Sequence, residues 1–184
     1  MRRLIASVLA AMASFAMVLG AMVATAAAAP AAQQKPYCGI TWGSQAKQAG
    51  SMVQTRVRDV RAGPHPCFDR LVIDLGSGHR PGYSVRYVKQ IVQDASGQPI
   101  PVKGGAKLSI AIQAPARNGF PANSHNLVNV TGFRTFRQVV GAGSFEGITS
   151  FGLGVSYKLP FRVFIVKVPG ASHVVIDVAH KWRA

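Results

Sequence analysis

Apolar residues recur at every second position through several short stretches of this chain, a period that produces half-buried β-strands and leaves little room for amphipathic helix. Leu71, Ile73 and Leu75 alternate with Arg70, Val72 and Asp74; Leu108, Ile110 and Ile112 alternate with Lys107, Ser109, Ala111 and Gln113; Tyr83, Val85 and Tyr87 alternate with Ser84 and Arg86. Further strands are predicted over 52–61, 133–140, 147–157, 160–168 and 173–179. Glycine, proline and small polar residues at 63–66, 76–78, 94–97, 104–105, 141–144 and 169–170 read as the turns between them. No window of 12 or more residues carries a helical stripe, and only 44–49 is expected to form a turn or two of helix. Seven or eight strands separated by turns predict an all-β fold, an antiparallel β-sandwich of two sheets or a partly closed barrel.

One internal echo stands inside this alternation. DRLVIDL at 69–75 and SHVVIDV at 172–178 share two aliphatics, Ile, Asp and an aliphatic. Asp74 and Asp177 are therefore expected at equivalent strand positions, either because core strands resemble one another or because each of two pseudo-symmetric sheets holds one such strand.

The first 28 residues have the three parts of a secretory signal peptide: Arg2 and Arg3, an apolar run from Leu4, and small residues around Ala26 and Ala28. The alternative, a retained anchor, would leave a spanning helix, whereas no stable membrane anchor is expected in the mature form. Residues 29–50 then form an N-terminal extension and 51–184 a single domain. In an oxidising compartment Cys38 and Cys67 are the one possible intrachain disulfide, clipping the extension to the domain. Two buried free thiols, or a catalytic cysteine, are the alternatives.

Catalytic signatures are sparse. None of His65, His79, His125, His173 and His180 has a ligand partner at helical metal spacing, and Glu146 is the only glutamate, so no metal site, cofactor or zinc chemistry is predicted. Asp74, Ser77 and His79 lie close in sequence, but the G-x-S-x-G elbow of a nucleophilic serine is missing and 76–78 reads as a turn. Gly152 and Gly154 share one strand face, which suggests close packing instead of phosphate binding.

Charge is the remaining clue. The chain has 21 Lys+Arg against 6 Asp+Glu, a net charge of +15, which becomes +13 once Arg2 and Arg3 leave with the signal. Arg56 and Arg58 are expected on one strand face with Arg61 at its end. Arg86, Lys89, Arg134, Arg137, Arg162 and Lys167 stand on other strands. Such residues make a solvated face or an anion-binding one, and Tyr37, Trp42, Tyr83, Tyr87 and Trp182 offer flat surfaces for sugars or serve as core and rim. Nucleic acid is a partner the charge permits and the signal peptide argues against.

The segments YCGITWG (37–43), VRAG (60–63), CFDRLVIDL (67–75), GYSVRYV (82–88), GFRTF (132–136), FEG (145–147), GLG (152–154), PFRVF (160–164) and VIDVAHKW (175–182) together resemble the AMIN-like domain of secreted proteins from GC-rich Gram-positive bacteria. The resemblance spans nearly the whole mature chain and makes 51–184 the AMIN-like domain. It implies a two-sheet β-sandwich related to AMIN domains, which target cell-wall amidases and secretin components to peptidoglycan or the division site. An amidase half is missing after Trp182, so a targeting module without catalysis is the expectation. The resemblance thus implies a protein that is secreted, free or wall-associated, whose partner is peptidoglycan or an anionic wall polymer. Arg56, Arg58, Arg61, Arg86, Arg134, Arg137 and Arg162 are the candidate binding residues, and a small secreted hydrolase is the alternative.

Overall fold

The computed structural model describes residues 36–76 and 79–182. The expected signal peptide therefore lies outside the described residues, as does Ser77, the serine weighed with Asp74 and His79. After a 3-10 turn at Tyr37–Gly39 come β1 (Lys47–Ala49), β2 (Val57–Pro64), β3 (Phe68–Leu75), β4 (Tyr83–Val88), β5 (Ile91–Val92), β6 (Pro99–Ile100), β7 (Ala106–Ile112), β8 (Phe136–Phe145), β9 (Ile148–Val155), β10 (Phe161–Val168) and β11 (Ala171–Ala179). All ladders are antiparallel. One sheet has the order β1-β4-β7-β9-β8, the other β10-β11-β3-β2, and β5 and β6 form a small hairpin. Two antiparallel sheets and no α-helix among the described residues make this the predicted all-β sandwich.

The alternation works as read. Leu71, Ile73 and Leu75 of β3 and Val174, Ile176 and Val178 of β11 face Val85, Leu108, Ile110, Ile112, Phe151 and Leu153 of the opposite sheet, all nearly or fully buried in one core. A smaller core of Ile91, Val102, Val140 and Ala142 lies under the β5–β6 hairpin. A β-carbon at Gly152 would meet Ile91 and Val140, and one at Gly154 would collide with the Lys103 carbonyl. These glycines therefore let a second layer lie flat on the outer face of the five-stranded sheet.

Three local expectations differ from what forms. Residues 47–49 are not helical but pair with β4, Lys47 opposite Val85, because a lone helical turn has no means to offset its nucleation cost while a sheet edge supplies ready partners. The sequence 141–144 is not a turn. It continues β8 through a bulge between Gly141 and Gly143, and the reversal is the two-residue loop Glu146-Gly147. Both of those residues have positive φ, 47° and 81°, the combination that matches strand twist in a tight hairpin. The strand expected at 52–61 begins only at Val57, whose N–H donates to the Pro115 carbonyl at 2.9 Å.

The echo strands occupy one sheet, not two. β3 and β11 are its central neighbours, with Val72 opposite Val175, Arg70 opposite Asp177 and His173 opposite Asp74. A local two-fold axis through the Val72–Val175 pair exchanges the two strands, so the repeat places two Asp–base pairs symmetrically on the outer face.

Candidate functional site

Cys38 and Cys67 are joined in a disulfide, with Cα atoms 6.4 Å apart. The bond holds residues 37–43 on one end of the four-stranded sheet, where the Trp42 ring lies 6.0 Å from Phe68 and its indole N–H donates to the Tyr37 carbonyl at 2.8 Å. Beneath this cover is a clamped carboxylate. Asp177 is fully buried and accepts from Arg70 Nε at 2.7 Å, Arg70 Nη2 at 2.9 Å and Arg162 Nε at 2.8 Å, with Arg162 Nη2 at 2.7 Å. The hydrogen bond to Asp177 raises the Arg70 pKa above its ordinary value, against the opposing effect of burial. Arg162 stands 5.6 Å from the Trp42 ring, 5.5 Å from Phe68 and 5.0 Å from Phe164. Cation–π contact and pairing of its Nε and Nη2 with one oxygen of Asp177 thus occupy the Arg162 guanidinium, which is an organiser of this end of the sheet, while Arg70 makes the bidentate pair.

At the other end of the two-fold, Asp74 is 20% exposed and meets His173 Nδ1 and the 57% exposed Arg61. Arg61 Nε donates to its Oδ2 at 2.9 Å. On the inner face a third carboxylate, Asp69, is fully buried and accepts from the backbone N–H groups of Thr135 at 2.6 Å and Phe136 at 3.0 Å, with His180 Nε2 at 3.1 Å. Asp69 pins the start of β8 against β3, so the long connection after β7 returns to a set place. These three aspartates are occupied by structural partners.

The remaining arginines separate into groups. Arg56 and Arg58 are exposed at the start of β2, but a bulge between Val57 and Asp59 interrupts the alternation expected to put these two on one face. Arg117 joins them, its Nε donating to the Arg58 carbonyl at 2.9 Å. Arg56 borders an open cleft of about 640 Å³ with Met52, Thr55 and Pro115. Arg86 stands alone on β4. Arg134 and Arg137 come together where β8 begins. Arg137 donates to the carbonyls of Phe133, Phe136 and Arg134 and lines a second cleft, about 590 Å³, with Lys103, Asn126, Asn129 and Phe133. Among the described residues, Arg61, Arg70 and Arg162 are the lysines and arginines within ion-pair distance of a carboxylate.

Lys103, Asn126 and Asn129 were invisible to pattern reasoning, since they sit in loops that only the returning connection brings together. The aromatics divide similarly. Tyr83 and Tyr87 pack on the core, burial pushing the Tyr83 pKa up and that of Tyr87 to about 12. Trp182 stays 51% exposed, its indole N–H donating to the Lys158 carbonyl at 3.0 Å. Among the described residues no group of His, Cys, Asp or Glu could hold a metal ion.

The sequence profile of the AMIN-like domain matches residues 55–180, from the residues before β2 through the end of β11. No curated protein matches the chain. The match takes in every strand except β1 and more than half of the chain, and so the chain belongs to the AMIN-like domain family.

Proposed function

We propose that this protein is a secreted, non-catalytic envelope module that holds peptidoglycan or an anionic wall polymer in the cleft beside the start of β8. The observation that carries this reading is the cleft lining. Lys103 and Arg137 provide positive charge, Asn126 and Asn129 provide amide donors and acceptors, Phe133 provides an apolar wall, and no carboxylate is present. A flat ring beside amides and cations suits a sugar bearing carboxylate or phosphate groups. A net charge near +13 on the expected mature chain adds long-range attraction. Family membership and a disulfide both accord with a place at the cell envelope.

The test is retention of the protein on purified wall sacculi across a salt series. Raising salt from about 50 to about 500 mM shrinks the Debye length from about 14 Å to about 4 Å, so retention falls if charge supplies most of the affinity. Lys103→Gln with Asn129→Ala lowers retention at the low-salt end with little change in melting temperature, because both side chains sit at a loop surface. Full retention by this variant at every salt concentration removes the cleft as the contact. Loss of retention in the Arg56→Gln, Arg58→Gln, Arg61→Gln variant alone moves the contact to the β2 side.

A further inference from the structure

Four segments distant in sequence meet at one end of the sandwich: the residues before β8, the loop from β9 to β10, the tail after β11 and the 3-10 turn. Hydrogen bonds tie them together. The Ser156 N–H donates to the Thr135 carbonyl at 2.9 Å and the His180 N–H to the Cys67 carbonyl at 3.0 Å, while the Trp182 indole reaches the Lys158 carbonyl. Cys67 is bonded in turn to Cys38 of the 3-10 turn, and Lys181 Nζ lies 5.1 Å from the Tyr37 ring centroid. Two large aromatics come to the surface here, Tyr157 at 58% exposure and Trp182 at 51%. Arg134, Lys158 and Lys181 are exposed around them, Arg134 and Tyr157 each adjoining in sequence the bond from Ser156 to Thr135.

The charge exposed at this end has one sign. Of the six acidic residues of the chain, Asp69 and Asp177 lie on strands that reach this end, but both are fully buried and bonded inside the fold. Asp59, Asp74 and Glu146 stand at the opposite ends of their strand pairs, and Asp94 packs beside Gly143. Among the described residues, none of Arg134, Lys158 and Lys181 is within ion-pair distance of a carboxylate.

A surface fits these groups better than a threaded polymer. Neither of the two clefts is lined by Tyr157, Lys158, Lys181 or Trp182, and Lys181 covers a face of Tyr37 that a sugar ring would need for stacking. Tyr and Trp combine an apolar ring with a polar tip and settle where apolar and wet media meet. Each Lys or Arg held against an anionic lipid surface adds about fivefold to partitioning.

We infer that this end of the sandwich docks on a membrane surface rich in anionic lipid headgroups, with Tyr157 and Trp182 dipping between headgroups and Arg134, Lys158 and Lys181 pairing with lipid phosphates. The inference stands on this patch and is independent of the cleft proposed for wall polymer.

The test measures flotation of the exported, oxidised protein with vesicles of phosphatidylcholine alone and of phosphatidylcholine with phosphatidylglycerol. Binding is expected to the anionic vesicles and to be about 100-fold weaker on the neutral ones. Arg134→Gln, Lys158→Gln and Lys181→Gln together lower it about 100-fold, whereas Arg56→Gln, Arg58→Gln and Arg86→Gln, which remove the same charge elsewhere, lower it less than about fivefold at salt near 150 mM. Tyr157→Ala with Trp182→Ala weakens binding about tenfold or more through lost apolar burial. On lipid-free sacculi the patch variants are retained as fully as the parent. No binding, equal binding to both vesicles, equal losses from the two charge variants, or full binding by the aromatic variant overturns the inference. A loss on sacculi as large as that on vesicles also overturns it, because the patch would then belong to the wall polymer.

Discussion

Asp74 and Asp177 are related by a local two-fold and share one sequence pattern, yet one is 20% exposed and the other fully buried. Two differences account for this. Opposite Asp177 on the flanking strand stands Arg162, whereas opposite Asp74 stands Asp59, a like charge. The β2 bulge is responsible: in the register set by Val57 and Leu75, Arg58 would have faced Asp74. Arg61 reaches Asp74 from one rung away. The second difference is cover, since the disulfide-held segment brings Trp42 over the Asp177 end only. Repetition in sequence therefore produced two sites whose energetics diverge through their neighbours.

Removing the cover is the largest expected perturbation. Replacing Cys38 and Cys67 together with Ser opens a loop with a separation of 29 residues, a loss of about 3.5 kcal/mol in the chain-entropy model. Chemical denaturation should report that loss. Hydrogen exchange should quicken around Arg162 and Asp177 more than around Asp74, and equal acceleration at both ends would break the asymmetry argued here.

Asp177→Asn comes next. It leaves two partly buried guanidiniums facing a neutral amide, and unfolding free energy should fall by about 3 kcal/mol, the lower range for breaking a buried pair because both arginines keep some contact with solvent. Asp74→Asn should cost about 1 kcal/mol or less, as its Arg61 partner is mostly exposed and screened. Similar losses for the two variants would show that burial does not separate the sites.

The smallest effect sharpens the comparison by pH. Below the Asp177 end, the Tyr87 hydroxyl donates to the Leu159 carbonyl at 2.6 Å and accepts from the Leu159 N–H at 3.0 Å, while its ring meets Phe161 edge-on. Burial raises its pKa to about 12, against about 10 when unfolded. The neutral phenol is thus favoured in the folded state. Its contribution is complete below pH ~10 and is lost as pH rises from ~10 to ~12, by about 1 kcal/mol after allowance for partial solvent access. Tyr87→Phe removes that part of the alkaline decline. An unchanged pH profile in this variant would assign the decline to other groups.

The strands were legible wherever one face met the core. β3, β4, β7, β10 and β11 appear where period-two alternation places them, since a one-residue slip would turn every apolar side chain to water. β5, β6 and β1 escaped because two or three residues carry too little pattern. β8 was cut short at residue 140 because glycine at 141 and 143 serves close approach: a β-carbon at Gly141 would collide with the Ala122 carbonyl, a neighbour visible only after folding. Of the candidate site, Arg137 lines a cleft, Arg56 borders another, Arg86 is exposed on β4, and Arg61 and Arg162 are engaged with Asp74 and Asp177.

Sequence by itself determined the β class, the excess of positive charge and the pairing of two cysteines, because these depend on local period, composition and count. The tertiary structure decided which aspartate is buried, which arginines are left without a carboxylate and which exposed aromatics meet at one end. Each of those depends on a bulge, a returning loop or a cross-linked segment brought from far along the chain, and strand alternation carries no record of what will lie across from it.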